Sequence, residues 1–475
     1  MKPRVVIVGA GLGGCVTASA LAATHEVTLI EFGTSIDDMQ ARVVDVGVPA
    51  RLEPHVGAGL GGTTALWHNA MIEVDDSVFT EHWPFPKGEL SRWYEAAYPL
   101  LGGVGRPAVE GAGQTLQAKY REAGVRPAFA QTMYCPTNRR NLYETLGLGT
   151  SVRTIIGEVV RLDVANGRVR SVVVETAEGP STIEGDVFVL AAGGLATPAL
   201  LQTLATDVPL PALRHAGYFY EDHPMAFVGQ VQLRAPLYRL WNFAAPGLDG
   251  SVRMPIIVRE DGLHVSFQLR PAALRLREDR TQRMGSVLTQ LRNQPWNPIN
   301  YLKLLKYRDD VLDILSFKLG IRIPTRHYAL LMVAQQPAST TRAVWGEVDA
   351  QTGRRVINRN WQLPPDYIAT LQRAIQRFVA ELGDLVVNST VLPDWQDSLS
   401  TAAHHSGTAR MSATPADGVC DRDARVHGME NLYVADGSLI PCSGIANTGM
   451  TIAALALRLA DHIVTAGATA RDSSS

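Results

Sequence analysis

Residues 5–14 read VVIVGAGLGG. Four β-branched apolar residues in a row suit a strand buried on both faces of a parallel sheet. They run into Gly9, Gly11 and Gly14 at G-x-G-x-x-G spacing; a helical pattern follows at 16–23, and a second apolar run, VTLIE, at 27–31. Strand, glycine turn and helix in that order constrain the opening to a βαβ unit that binds a dinucleotide. Gly9 permits the tight turn, Gly11 lets a pyrophosphate approach the backbone, and Gly14 lets the helix pack closely on the strand. The helix start then offers its partial positive charge and free N–H groups to phosphates. Glu31, about twenty positions after Gly11, ends the second strand with a carboxylate suited to ribose hydroxyls and repulsive to a 2′-phosphate. The fingerprint by itself does not separate FAD from NAD.

The pattern returns far along the chain. DVFVLAAGG at 186–194 and NLYVADGS at 431–438 are further strands that end in small residues, Ala192 among them, where a ligand can come close. Between them FVGQVQL, RMPIIV, LHVSFQL and YALLMVAQQ suggest a second sheet. The expected organisation is therefore α/β and discontinuous. Residues 1–214 plus 395–475 form a Rossmann-like dinucleotide domain with a helical excursion near 75–148, and an α+β substrate domain is inserted at 215–394. A chain of 475 residues, 46% hydrophobic, can bury cores for both.

Other function classes fall away on charge and cysteine usage. A formal charge of -2 with scattered Lys and Arg offers no stripe to a nucleic acid. The cysteines, Cys15, Cys135, Cys420 and Cys442, lack C-x-x-C spacing, so neither a disulfide scaffold nor a metal site is expected. The N-terminus is basic and then apolar, but it ends in glycines rather than a cleavage site, which reads as a strand of a cytoplasmic protein. No run of about 18 apolar residues exists. An amphipathic stretch at 301–320 fits a bilayer surface, although packing on its own protein is the favoured reading. The tail at 465–475 is small and polar and is expected to fray.

A second glycine cluster, GAGLGGTTALWHNAM at 57–71, places Gly61, Gly62, Thr63 and Thr64 in line. Here the chain resembles the glucose-methanol-choline (GMC) oxidoreductases, whose flavin-contacting loop carries a Gly-Gly-Ser/Thr-Ser/Thr element. HWPFPKGELSRWYEAAYPLLG, VFVLAAGGLATPALLQ and NRNWQLPPDYIATLQRAI resemble further family segments. The C-terminal stretch from HHSGTARM through VADGS to IANTGMT follows the family order of His-x-x-Gly-Thr, Val-Asp-Gly/Ala-Ser and Asn-x-x-x-Thr. The resemblance implies a GMC fold, of the architecture shared with p-hydroxybenzoate hydroxylase, and FAD as cofactor. It places Gly61, Gly62, Thr63, Ala192, Asp436 and Gly437 against the flavin nucleotide, with Val159 as an adenine-side backbone contact. Asp222 and His223 match an Asp-His-Pro element with a structural role. Covalent flavin attachment is not expected, because His68 lies two positions later than the covalent pattern requires.

The implied reaction removes a hydride from an alcohol CH–OH, and the family's proton-handling histidine corresponds to His404. Imidazole suits that task because its ordinary pKa lies near working pH. Neighbouring side chains of extended backbone point to opposite faces, so His404 is expected to face the flavin and His405 the protein. Asn447 occupies the family's second active-site position, where its amide can orient the substrate oxygen, or it caps the helix that follows. That helix, read as starting at Thr451, is expected to aim its N-terminus at the flavin. The expected partners are a small alcohol (a sugar, polyol, amino alcohol or secondary-metabolite alcohol) and an electron acceptor, either O2 or a separate carrier. A non-redox lyase of the same family and a flavin-binding electron carrier are the alternatives, and the second glycine cluster argues against an NAD-linked reductase.

Overall fold

The computed structural model describes residues 2–33, 42–46, 56–65, 67, 69–125, 129–137, 141–234, 243, 245, 247–271, 294–305, 327–350 and 355–472. Its organising element is a five-stranded parallel sheet built from β1 (Arg4–Val8), β2 (Glu26–Glu31), β3 (Arg153–Ile156), β4 (Val187–Leu190) and β5 (Leu432–Val434), in the order β5-β4-β1-β2-β3. Apart from its first residue β1 is buried throughout, which is what its unbroken β-branched sequence requires. The register aligns the carboxyl ends: Val8 lies opposite Ile30 on one side and Leu190 on the other, and Leu190 lies opposite Val434. Gly9, Glu31, Ala191 and Ala435 therefore follow at one edge of the sheet. β1 runs to a neighbour on either side there, which makes this edge the switch point where open α/β sheets bind ligands.

Among the described residues, three helices start at that edge: α1 (Leu12–Leu21), α2 (Gly193–Asp207) and α3 (Thr448–Asp472). The last begins one turn earlier than the Thr451 start read from sequence, and it continues to Asp472 where fraying was expected. Alanine and leucine, the strongest helix formers, dominate it and let it pack along α1 and the helix Ser91–Gly102. By length and composition residues 448–467 could cross a membrane, but half of that stretch is buried inside the protein.

A second sheet of seven strands is antiparallel. Its main path runs Val386–Val391, Pro224–Leu233, His327–Ala334, Leu263–Pro271, Ile256–Glu260 and Phe129–Ala130, with Ser400–Thr401 also paired to Pro224–Leu233. Of the four strand-like runs read from the sequence, FVGQVQL and LHVSFQL lie wholly in it, YALLMVAQQ lies in it up to Ala334 and RMPIIV from Ile256. Arg253 belongs to strand Gly250–Arg253, which pairs with Met133–Pro136. Helix Pro365–Glu381 covers one face, with Phe378 stacked on Phe267 at 4.3 Å between ring centroids. Strand Arg355–Asn360, within the span read as inserted, pairs instead with Val43–Val46 near the N-terminus, and carries Val344–Val348 on its other side. Of the amphipathic stretch at 301–320, residues 306–320 lie outside the described residues.

Candidate active site

The glycines at the sheet edge have distinct jobs. A Cβ on Gly9, whose φ is +107°, would sit 2.3 Å from the Ala191 carbonyl oxygen, and one on Gly13 would sit 1.6 Å from that of Ala435. Gly14 packs against the Gly9 carbonyl, with its Cβ position 2.0 Å from the oxygen. At Gly11, by contrast, the nearest atom lies 3.9 Å from the Cβ position, so that position opens to the space beyond the sheet. Among the described residues no side chain caps the α1 start, which leaves its amides to an outside acceptor.

That space is a cavity of about 210 Å³. Of the residues singled out from sequence, Gly9, Gly11, Glu31, Gly62, Thr63, Val159, Ala192, Asp436 and Gly437 line it. Gly14, Gly61, His404, Asn447 and Thr451 do not. Gly14 supports the turn from behind. Gly61, at φ +96°, abuts the Asn141 side chain and donates its N–H to the Ala10 carbonyl at 2.9 Å. Thr451 corrects the reading most clearly: its hydroxyl pairs with Tyr94 at 2.9 Å in the interior, and Thr448, one turn earlier, lines the cavity. His68 lies outside the described residues.

Both conspicuous carboxylates are already held by the protein. Glu31 accepts the N–H groups of Ala10 at 2.7 Å and Gly59 at 3.0 Å, so it clamps the two glycine loops together. Burial raises its pKa, while those amides oppose the change. A carboxylate offers about four lone-pair sites, so it can also accept ribose hydroxyls. Asp436 accepts from Gly193 N–H at 2.8 Å, the Thr197 hydroxyl at 2.5 Å, Ser438 N–H at 2.9 Å and the Ser438 hydroxyl at 2.5 Å. It joins the start of α2 to the turn after β5, and burial is the main force raising its pKa.

Sequence reasoning missed Phe32, Arg42 and Arg355 in the lining. Arg42 lies over the Phe32 ring at 5.2 Å, donates to Glu158 at 3.1 Å and donates to the Arg355 carbonyl at 2.7 Å. Phe32 directly follows Glu31, a signal that could have been used. Arg42 and Arg355 are brought together by the Val43–Val46 strand pairing, which no local pattern announces.

The two histidines point to opposite sides, as neighbours on extended backbone do, but the cavity side is the reverse of the one expected: His405, not His404, lines it, and each ring has a partner the sequence did not announce. His405 lines the cavity beside Ala403, and its Nδ1 lies 2.9 Å from the Tyr220 hydroxyl and 3.5 Å from Asp222 Oδ2. The His404 ring lies at 80° to that of His223, with Nδ1 to Nδ1 at 2.9 Å, and His223 Nε2 lies 3.0 Å from Ser443 Oγ. Asp222 unites the group. Its Oδ1 accepts the backbone N–H of His223 at 2.7 Å and of His404 at 3.0 Å, and its Oδ2 accepts from the Thr401 hydroxyl. Burial alone would raise the Asp222 pKa, but His405, Thr401, Arg359 and His404 outweigh it and hold the carboxyl at about 2. Burial lowers the pKa of His404, and Asp222 partly offsets this. The arrangement keeps His404 a neutral imidazole near neutral pH, able to accept a proton.

Asn447 is half-buried, and its side-chain amide has no hydrogen-bond partner among the described residues. It follows Ser443 on the segment that leads into α3, so one short stretch carries both the anchor of His223 and this amide.

Residues 346–456 match the family described as GMC oxidoreductase. The chain is 32% identical over 123 residues to a 5-(hydroxymethyl)furfural oxidase of Methylovorus sp. (strain MP688), a match that takes in 24% of this chain and about a quarter (23%) of the relative's length. An oxygen-dependent choline dehydrogenase of Paraburkholderia xenovorans (strain LB400) is 25% identical over 96% of this chain and 93% of its own. Among solved structures, pyridoxine 4-oxidase from Mesorbium loti superposes with a TM-score of 0.62 at 17% identity, covering 97% of this chain and 99% of that one.

Proposed function

Because the chain belongs to the glucose-methanol-choline oxidoreductase family, we propose that it oxidises the CH–OH group of a small alcohol to a carbonyl, with His404 taking the hydroxyl proton. FAD, the family's cofactor, supplies when bound a two-electron acceptor for the hydride that leaves the carbinol carbon. The residues present fit that group. Gly11 leaves the backbone bare where a pyrophosphate would lie, Gly9, Gly13 and Gly62 let the loops around it close tightly, Glu31 and Val159 would hold the ribose and adenine side, and the helix starts at the cavity favour negative charge.

The observation that carries the reading is the placement of His404. Its neighbours Ala403 and His405 line the cavity, its Nδ1 is engaged by His223, and its Nε2 has no partner among the described residues. A neutral ring with one nitrogen held and the other unpartnered is what a general base requires. Asn447, with its unpartnered amide, would orient the substrate oxygen. Substrates of the named relatives, hydroxymethylfurfural, choline and pyridoxine, share a primary alcohol, and for this chain they are starting points for a search.

Anaerobic addition of these alcohols, together with glucose, glycerol and amino alcohols, is expected to bleach the visible absorption of the purified yellow protein in at least one case. Persistent colour with every alcohol, combined with cleavage of a cyanohydrin, would instead establish the lyase reading. Comparing turnover under O2 with turnover on a dye acceptor then separates an oxidase from a dehydrogenase.

The cofactor site has its own test. Gly62 has φ +52°, and a Cβ there would lie 2.8 Å from the Cα of Gly11. A β-branched residue in that left-handed conformation costs roughly 1–2 kcal/mol, so Gly62→Val is expected to weaken FAD binding about tenfold. Flavin fluorescence titration of the apoprotein checks it, and unchanged affinity would place the cofactor away from this loop.

A further inference from the structure

We propose that His223 is a positioning residue that holds His404 as the Nδ1–H tautomer, through the hydrogen-bond chain His404 Nδ1 to His223 Nδ1 and His223 Nε2 to Ser443 Oγ. The inference rests on the reading of His404 as the proton acceptor.

Two imidazoles that meet Nδ1 to Nδ1 at 2.9 Å share a single proton along that line, so one ring donates and the other accepts. In the first arrangement His404 donates from Nδ1, and its Nε2 keeps a lone pair. His223 then carries its proton on Nε2 and donates it to the Ser443 hydroxyl, 3.0 Å away. In the second arrangement His223 donates from Nδ1, and His404 must carry its proton on Nε2, where it cannot accept another. Only the first leaves a base.

The charged form makes the same selection. Once His404 has taken a proton at Nε2, both of its nitrogens are donors, and Nδ1–H needs an acceptor. Neutral His223 supplies one in the first arrangement, giving a charge-assisted hydrogen bond. In the second, two N–H groups would point at each other. His223 is only 1% exposed, and burial, reinforced by His404, pushes its pKa down to about 3, so it does not compete for the positive charge. The groups facing the pair include Asp222, whose Oδ1 holds the backbone N–H of both histidines, Ser443 and the backbone of Gly444. Asp222 thus supplies negative charge near the His404 imidazolium without occupying either ring nitrogen. Ser443 can accept or donate, and with His223 as donor it locks the chain in the base-competent sense.

The test uses the FAD-loaded enzyme with histidine labelled in nitrogen-15. The His404 ring is identified by its disappearance in His404→Gln. Long-range proton–nitrogen correlation at pH 7.5 is expected to show Nδ1 protonated and Nε2 bare in the parent, a mixed or reversed population in His223→Leu, and the parental state in His223→Asn, whose side-chain oxygen can replace the lost acceptor. In parallel, the acid limb of the pH profile for anaerobic flavin reduction by the fastest alcohol of the panel is expected to move down by about one pH unit in His223→Leu, since the imidazolium loses a hydrogen bond. The limb is expected to stay in place in His223→Asn. Ser443→Ala, which leaves both histidines in place, is expected to show part of the same tautomer change and serves if His223→Leu is recovered without cofactor. A bare Nδ1 on His404 in the parent enzyme, or an unmoved limb with unchanged tautomer in both His223→Leu and Ser443→Ala, overturns the proposal. Retained turnover in His404→Ala would overturn the general-base reading instead, whatever the tautomer proves to be.

Discussion

His404→Ala is expected to lower the rate of alcohol-driven flavin reduction about 10²–10⁴-fold, the range that a positioned general base contributes, while the protein stays yellow. Cofactor retention follows from the placement of the residue. His404 is not among the residues lining the cavity, whose walls are backbone glycines, Glu31, Val159 and the starts of three helices. The pH dependence has a definite sign. Burial lowers the His404 pKa below the ordinary histidine value, with Asp222 partly opposing, so the unprotonated base persists below the pH at which an exposed histidine would be inactivated. Rapid-mixing reduction rates measured from pH 5 to 9 would check this, and a variant within threefold of the parent across that range would remove His404 from the reaction.

Glu221→Gln is expected to flatten the pH dependence of stability. Glu221 is 4% exposed, and burial pushes its pKa up to about 8 against the opposing pull of the Ser443 amide, the Cys442 thiol and Arg410. Its folded pKa lies above its unfolded value, so the native state binds the proton more tightly. The stabilisation is complete below about pH 4.5 and is lost as pH rises through 8. At about 1.4 kcal/mol for each pH unit between the unfolded and folded pKa values, the window spans about 5 kcal/mol. A glutamine, neutral at every pH, breaks this linkage. The variant is expected to match the parent near pH 5 and to exceed it by several kcal/mol at pH 9, read as urea midpoints. Parallel midpoint curves for the two proteins would show that Glu221 is ionised in the fold.

The dinucleotide edge was legible in the sequence because its requirements are local. A buried parallel strand must be apolar on both faces, a turn at φ +107° admits glycine with little strain, and helix packing at Gly14 leaves no room for a Cβ. These constraints act within about thirty residues, so their spacing is written along the chain. The strand runs of the second sheet were readable for a similar reason, since alternation of buried and half-buried positions marks Pro224–Leu233 directly. Thr451 was misread because apolar composition identifies a helix without marking its first turn. Whether Thr448 or Thr451 meets the cavity depends on how the segment leaves the sheet.

Residue spacing and family resemblance together determined a glycine-lined nucleotide site and drew attention to HHSGTARM. Tertiary structure alone decided how that stretch is arranged. His404 and His223 stand 181 positions apart, and Ser443 is 220 positions from His223. Asp222, read as part of a structural joint, became the carboxylate beneath both histidines only when the joint packed against 401–405. The tautomer of an imidazole depends on which atom lies within about 3 Å of each nitrogen, and that is set by long-range packing to which no spacing along the chain is tied.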